Sequence, residues 1–200
     1  MSVREITVAG KPVTAMRVSY VGELGWELHL AGDDLPALYE ALFAHGAELG
    51  LTDFGSYALN VMRVEKGYHG WGADFGTEYT LYDAGIEGFV NWDKGDFTGR
   101  DAVLAQSEAA AEWKLVGFEV ESGDADPLPS DPIFRDGEWA GYVSSACEGF
   151  RIGKRIAMGY VRADKADTGG SFAIEVLGEP CLAHLVPMPF YDPENSKLKG

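Results

Sequence analysis

Cysteine, histidine and basic residues are all scarce in this 200-residue chain, and each scarcity removes a class of function. Only Cys147 and Cys181 are present, far apart in sequence. A disulfide scaffold is excluded; a cytoplasmic chain with reduced thiols is expected, with a single disulfide left open. The four histidines stand at positions 29, 45, 69 and 184, and no two have metal-ligand spacing, so no metal site is expected. His69 alone sits beside other candidate residues. Lys and Arg number 16 against 32 Asp and Glu, a net charge of −16. That balance argues against a nucleic-acid partner, whose affinity would come from cationic contacts. There is no apolar run of about 18 residues and no basic start followed by an apolar stretch, so neither an ordinary membrane span nor a secretory signal is expected. No glycine-rich dinucleotide fingerprint follows a strand, which assigns any flavin to another chain or to other sequence.

What remains is globular in composition, 46% hydrophobic and 24% charged. Alternation predicts a strand pair over Glu5 to Ala9 and Val13 to Tyr20, turning at Gly10-Lys11. Asp33-Asp34 reads as the cap of a helix with Pro36 in its first turn, and Leu35, Leu38, Tyr39, Leu42 and Phe43 share one face of it. A second helix, about Ser56 to Lys66, is apolar on most sides and is expected to be buried, with Gly67 ending it in the left-handed conformation. Gly99-Arg100 opens a third, short helix. The character changes near residue 110: Val116, Phe118 and Val120 alternate, followed by turns and strands over Trp139 to Ser145, Ala157 to Arg162 and Phe172 to Val186. The fold class is therefore α+β over 1–110, then a small all-β barrel or sandwich over 111–200.

The most informative segment is Gly22-Glu23-Leu24-Gly25-Trp26-Glu27, read as two strands (Met16 to Tyr20, then Trp26 to Leu30) joined by a glycine turn. Glu27 points away from Trp26 and Leu28, and on local grounds alone it reads as a solvated carboxylate on an exposed strand face. Farther on stand Met62-Arg63-Val64-Glu65-Lys66-Gly67-Tyr68, Trp71-Gly72, Asp83-Ala84-Gly85-Ile86, Asp93 to Arg100, Ile156 to Val161 and the tail Pro189 to Asn195. In this order and spacing the series resembles the aminomethyltransferase family: the glycine-cleavage T-protein and the folate-binding region of dimethylglycine and sarcosine dehydrogenases. It covers about Ile6 to Lys199.

The resemblance implies a partial T-protein folate-binding domain followed by a small antiparallel β-barrel domain, with tetrahydrofolate as cofactor. It also implies one-carbon transfer in glycine, sarcosine or dimethylglycine catabolism, beside an amine dehydrogenase chain. Glu27 matches the carboxylate that pairs with the amino-pyrimidine edge of the pterin, which needs an acceptor-only fork. Tyr57, Tyr68 and Trp71 are candidate cleft residues, and Arg151 and Lys154, with Arg155, are candidates for the folate glutamate tail. Arg63 and Glu65 read as an internal ion pair or a clamp on loop carbonyls. Two columns depart from the family: Leu59 stands where T-proteins carry an arginine, and Gly88-Phe89 where many carry a tryptophan. The family's catalytic aspartate falls upstream of Met1, so the catalytic residue is unknown and the isolated chain is expected to be inactive. A non-catalytic folate-binding or scaffold module is the alternative. An uncovered sheet edge and apolar helix predict self-association, with no membrane partner.

Overall fold

The computed structural model describes residues 2–200 and divides into two compact units, Met1–Arg63 with Asp192–Gly200, and Val64–Tyr191. The fold is α+β, with a closed six-stranded antiparallel barrel in the second unit.

The first unit holds a three-stranded antiparallel sheet of β1 (Val3–Val8), β2 (Lys11–Met16) and β3 (Glu27–His29), with β2 in the middle. The first turn is Ala9-Gly10, both at positive φ (50° and 77°), one position before the expected Gly10-Lys11. A two-residue turn with both φ positive matches the twist of a hairpin. β2 stops at Met16, so Val18 and Tyr20 are not strand residues; residues 17–26 form a loop, and Met16 pairs with Glu27. Gly22 does take positive φ (76°). Gly25 is demanded by crowding instead, since a Cβ there would lie 2.6 Å from the Val18 carbonyl oxygen.

Helix α1 (Leu35–Gly46) has Pro36 in its first turn as expected, but Asp34 does not cap it. The Asp34 backbone is already helical (φ −92°, ψ −12°) at the end of a 3-10 turn over Gly32–Asp34. From there its carboxylate pairs with Lys11 Nζ at 2.6 Å. Only Leu38 of the apolar stripe is buried. Helix α2 (Ser56–Glu65) corrects a second expectation: Ser56 to Asn60 are exposed, and burial begins at Arg63. An apolar face states which side needs cover and does not supply the cover.

In the second unit, α3 (Arg100–Glu108) follows Gly99 as expected. In the preceding loop Lys94 lies 4.2 Å from the centre of the Phe97 ring and Arg100 5.9 Å from that of Trp92, cation–π contacts that hold the turn together. The barrel strands are β4 (Trp113–Val120), β5 (Pro132–Arg135), β6 (Glu138–Gly149), β7 (Lys154–Arg162), β8 (Phe172–Val176) and β9 (Glu179–Val186). Their order around the barrel is β4-β7-β6-β5-β8-β9, closed by β9 against β4. Closure leaves no edge strand exposed. The alternation seen at Val116 to Val120 sends Phe118 and Val120 inward with Ile133, Val143, Val161, Phe172 and Ile174. The span Phe172 to Val186, read as one stretch, is a hairpin of β8 and β9. Among the described residues Cys147 and Cys181 form no disulfide.

Asp83 ties the loop before α3 to the barrel. Its Oδ2 accepts from the Thr80 N–H (2.9 Å) and Thr80 Oγ1 (2.7 Å), and its Oδ1 accepts from the Trp113 N–H (3.0 Å). Burial pushes this carboxyl up, but the donors of Thr80, Trp113 and Glu112 outweigh it and hold it below the usual range. A depressed folded value contributes stability that is present above the ordinary carboxylate pKa of about 3.9 and is lost as pH falls through the lower folded value. Asp83→Asn should therefore be destabilising at neutral pH, with the gap from wild type narrowing in acid. Urea midpoints at about pH 7 and about pH 3 measure this; a gap that stays constant contradicts it.

Candidate functional site

Glu27 opens β3, and its ladder pairing with Met16 fixes which way the side chain points. Successive residues of a strand face opposite sides, so Glu27 and His29 share one face and Leu28 takes the other. The Glu27 side chain is 57% exposed, and Oε2 lies 2.9 Å from His29 Nε2. A carboxylate offers about four acceptor positions, and one histidine N–H takes only one of them. The arrangement leaves an acceptor fork open toward solvent.

Tyr57, on the first turn of α2, is 91% exposed and Leu59 is 37% exposed. Apolar groups thus occupy the helix surface at the position where the resemblance implies an arginine. Arg63 Nε and Nη2 donate to Asn60 Oδ1 at 3.0 and 2.8 Å.

In the second unit, Gly67 takes positive φ (66°) and ends the helical run as expected. Tyr68 is half-buried, whereas Trp71 is 70% exposed and packs edge-on against Phe75 with ring centres 5.2 Å apart. Asp74 holds this loop. It accepts from the Gly70 N–H (2.8 Å), and its other oxygen accepts from the Ser144 hydroxyl of β6 (2.7 Å). The sequence alone assigns Asp74 no role. The signal that could have found it is an aspartate four residues after Gly70, placed to accept a backbone N–H within its own loop.

Of the two readings of Arg63 and Glu65, an internal ion pair or a clamp on loop carbonyls, the ion pair is corrected in its partner. Glu65 is wholly buried, and its carboxylate is taken by Arg151 from the turn between β6 and β7. The Arg151 N–H donates to Oε1 (2.8 Å) and Arg151 Nε to Oε2 (2.5 Å). The guanidinium also stacks 3.9 Å above the Tyr191 ring, and Lys66 Nζ donates to the Tyr191 carbonyl (3.4 Å). Sequence spacing favoured Arg63 because it is two residues away, but residues two apart on a helix do not face each other. Nor are the other two members of the basic cluster an open cationic patch: Lys154 bonds both oxygens of Glu119 (2.7 Å) and Arg155 bonds Asp126 (2.5 Å).

Elsewhere in this unit Tyr79 stacks on Tyr160 with ring centres 3.7 Å apart, and the buried Tyr160 hydroxyl has no hydrogen-bond partner among the described residues. Burial, with Tyr142 and the carboxylates of Asp74, Asp83 and Glu78 nearby, pushes that phenol up. Among the described residues no group of three or more acidic, histidine or cysteine side chains could hold a metal ion, and no helix is long and apolar enough to cross a membrane.

Two family models match the chain in tandem: the GCVT N-terminal domain over residues 1–94, and the glycine cleavage T-protein C-terminal barrel domain over 114–192. The chain belongs to the glycine-cleavage T-protein (aminomethyltransferase) family. It is 33% identical to mitochondrial dimethylglycine dehydrogenase of Mus musculus, matching across 100% of this chain and 23% of that protein. It is 36% identical to the aminomethyltransferase of Halothermothrix orenii, over 92% of this chain and 51% of that protein. The solved glycine cleavage system aminomethyltransferase T from Bartonella henselae superposes with a TM-score of 0.79 at 25% identity, over 89% of this chain and 49% of that one. The chain thus spans about a quarter of the dehydrogenase and about half of the aminomethyltransferases. That the T-protein barrel model lies over 114–192 accords with the closed barrel found from Trp113 onward.

In this member of the family Glu65 is wholly buried and Arg151 partly exposed, so removing Arg151 strands a buried charge. Arg151→Ala should cost about 3–5 kcal/mol in chemical denaturation. A loss under about 1 kcal/mol, the range of an exposed pair, contradicts this.

Proposed function

We propose that this chain binds a reduced folate and serves folate-dependent one-carbon transfer in glycine, sarcosine or dimethylglycine catabolism. The observation that carries the reading is Glu27, an exposed carboxylate with acceptor positions to spare, at the place where the family resemblance puts the pterin-reading group. The amino-pyrimidine edge of a pterin presents an N–H and an NH₂ side by side, and a carboxylate is the side chain that accepts from both. When bound, the folate supplies the nitrogen that takes up the one-carbon unit. The chain's own part is to recognise and orient it.

Tyr57, Tyr68 and Trp71 are assigned as apolar and stacking contacts. For the glutamate tail, Lys154 is the better candidate of the two named cations. Its partner Glu119 sits in a partly exposed pair that a ligand carboxylate can replace at small cost. Arg151 would have to abandon buried Glu65, which is expensive. Residues 1–110 are read as the folate-binding part and 111–200 as the barrel domain. No residue of 1–200 is assigned as catalytic. The match to dimethylglycine dehydrogenase over about a quarter of that protein's length favours, as second reading, a folate-binding module within an amine dehydrogenase assembly.

Calorimetric titration with a reduced folate tests the reading. Glu27→Gln exchanges one acceptor oxygen for a donor and should weaken binding by about 1.5–3 kcal/mol, roughly ten- to a hundred-fold. Equal affinity in both proteins removes Glu27 from the site.

Self-association belongs to the same proposal. Leu35, Tyr39 and Leu42 on α1 are 50%, 50% and 39% exposed, and Val3 and Ile6 on the edge strand β1 are 57% and 40% exposed. Apolar surface and an unpaired edge are both liabilities that proteins cover by pairing. Light scattering should report a mass above 21.6 kDa at micromolar concentration, a two-fold dimer first. A stable monomer that binds no hydrophobic dye contradicts this.

A further inference from the structure

The C-terminal tail returns to the first unit and meets the loop that leads into Glu27. Asp192 and Asn195 both take positive φ (46° and 57°) and fold the tail into the short helix α4 (Ser196–Lys199). Asp192 caps it. Oδ1 accepts from the Ser196 N–H (2.8 Å) and hydroxyl (2.6 Å), and Oδ2 from the Lys197 (3.0 Å) and Leu198 (3.4 Å) N–H groups. Burial raises this carboxyl, yet the four donors hold it at about 2.

The other end of α4 is held by Arg17. A helix leaves its last carbonyls without intrahelical partners, and a cation is favoured there. Arg17 Nη2 donates to the carbonyls of Leu198 (3.1 Å) and Lys199 (3.2 Å). The same guanidinium lies 5.8 Å from the centre of the Trp26 ring, immediately before Glu27. The Arg17 N–H donates to the Ser2 carbonyl (2.8 Å), which fixes the residue at the end of the β1–β2 ladder. The loop's other wall is also against the tail: a Cβ on Gly200 would lie within clashing distance of Leu24 Cδ1. One side chain therefore joins the start of loop 17–26, its last residue and the C-terminal helix.

We propose that Arg17 is a positioning residue for Glu27, and that the capped tail acts through it to hold loop 17–26 in its ligand-reading shape. The assignment of a ligand rests on the folate reading; the order imposed on the loop does not. Glu27 enters its strand directly from Trp26, so a loop free to shift at Trp26 moves the carboxylate relative to its ladder partner. Arg17 touches no reacting atom in this scheme.

The test pairs amide hydrogen exchange over residues 18–26 with folate titration, in wild type, Arg17→Gln, Arg17→Lys and Asp192→Asn. Arg17→Gln should speed exchange in 18–26 while the barrel strands keep theirs, and should weaken folate binding by about three- to thirty-fold. Arg17→Lys, which keeps the charge and a donor, should recover part of both. Asp192→Asn, which weakens the cap from the far side, should speed exchange in the same loop. Unchanged exchange in 18–26 in both Arg17→Gln and Asp192→Asn overturns the proposal. So does faster exchange with no loss of affinity in a chain that binds folate. If wild type binds no folate, the folate reading fails, and the exchange data alone then decide whether the tail orders the loop.

Discussion

A carboxylate removed wholly from water has to be met by a cation, and Glu65 at the end of α2 imposes that demand on the second unit. Its answer comes from Arg151, far away in sequence, on the turn between β6 and β7. The guanidinium stacks on Tyr191, and the Tyr191 carbonyl takes Lys66. One buried charge thereby fixes the end of a helix, a barrel turn and the chain after the last strand. Its alternative, an uncompensated charge in a low-dielectric interior, is far worse than any local rearrangement.

The barrel supplies the rigid frame for that demand. It is closed, so its strands need no outside partner, and its loops can be spent on other tasks. Asp74 and Asp83 illustrate how. Each is a buried carboxylate that gathers hydrogen bonds from its own loop and from a strand of the barrel, one presenting Trp71 and the other docking the approach to β4. Acidic residues dominate this chain, yet these two serve as internal connectors and contribute nothing to the charged exterior.

The first unit is organised differently. It has a small sheet with an open edge, a helix whose apolar face is largely exposed, and a loop held by its own C-terminal tail. Binding groups are commonly carried on such segments, where the ordering is local and can be adjusted. Glu27, the carboxylate proposed to read the ligand, and the tail-bound Arg17 both belong to this part.

The amino-acid sequence determined the elements whose causes are local. Alternation at Val116 to Val120 gave a barrel strand, Gly67 and Gly22 gave left-handed turns, and the ordered motifs from Gly22 to Asn195 gave the family. Where a cause was not local, the outcome had to wait for the fold. Arg63 stood beside Glu65 in sequence, but the buried carboxylate took Arg151. Arg151, Lys154 and Arg155 looked like one basic patch, but each found its own acid. Asp34 looked like a cap, but its backbone was already helical and its carboxylate went to Lys11. The apolar faces of α1 and α2 were legible, but their exposure was not. Periodicity states what a segment would bury, whereas a charge partner or a covering surface is chosen by whatever the tertiary structure brings within a few ångströms.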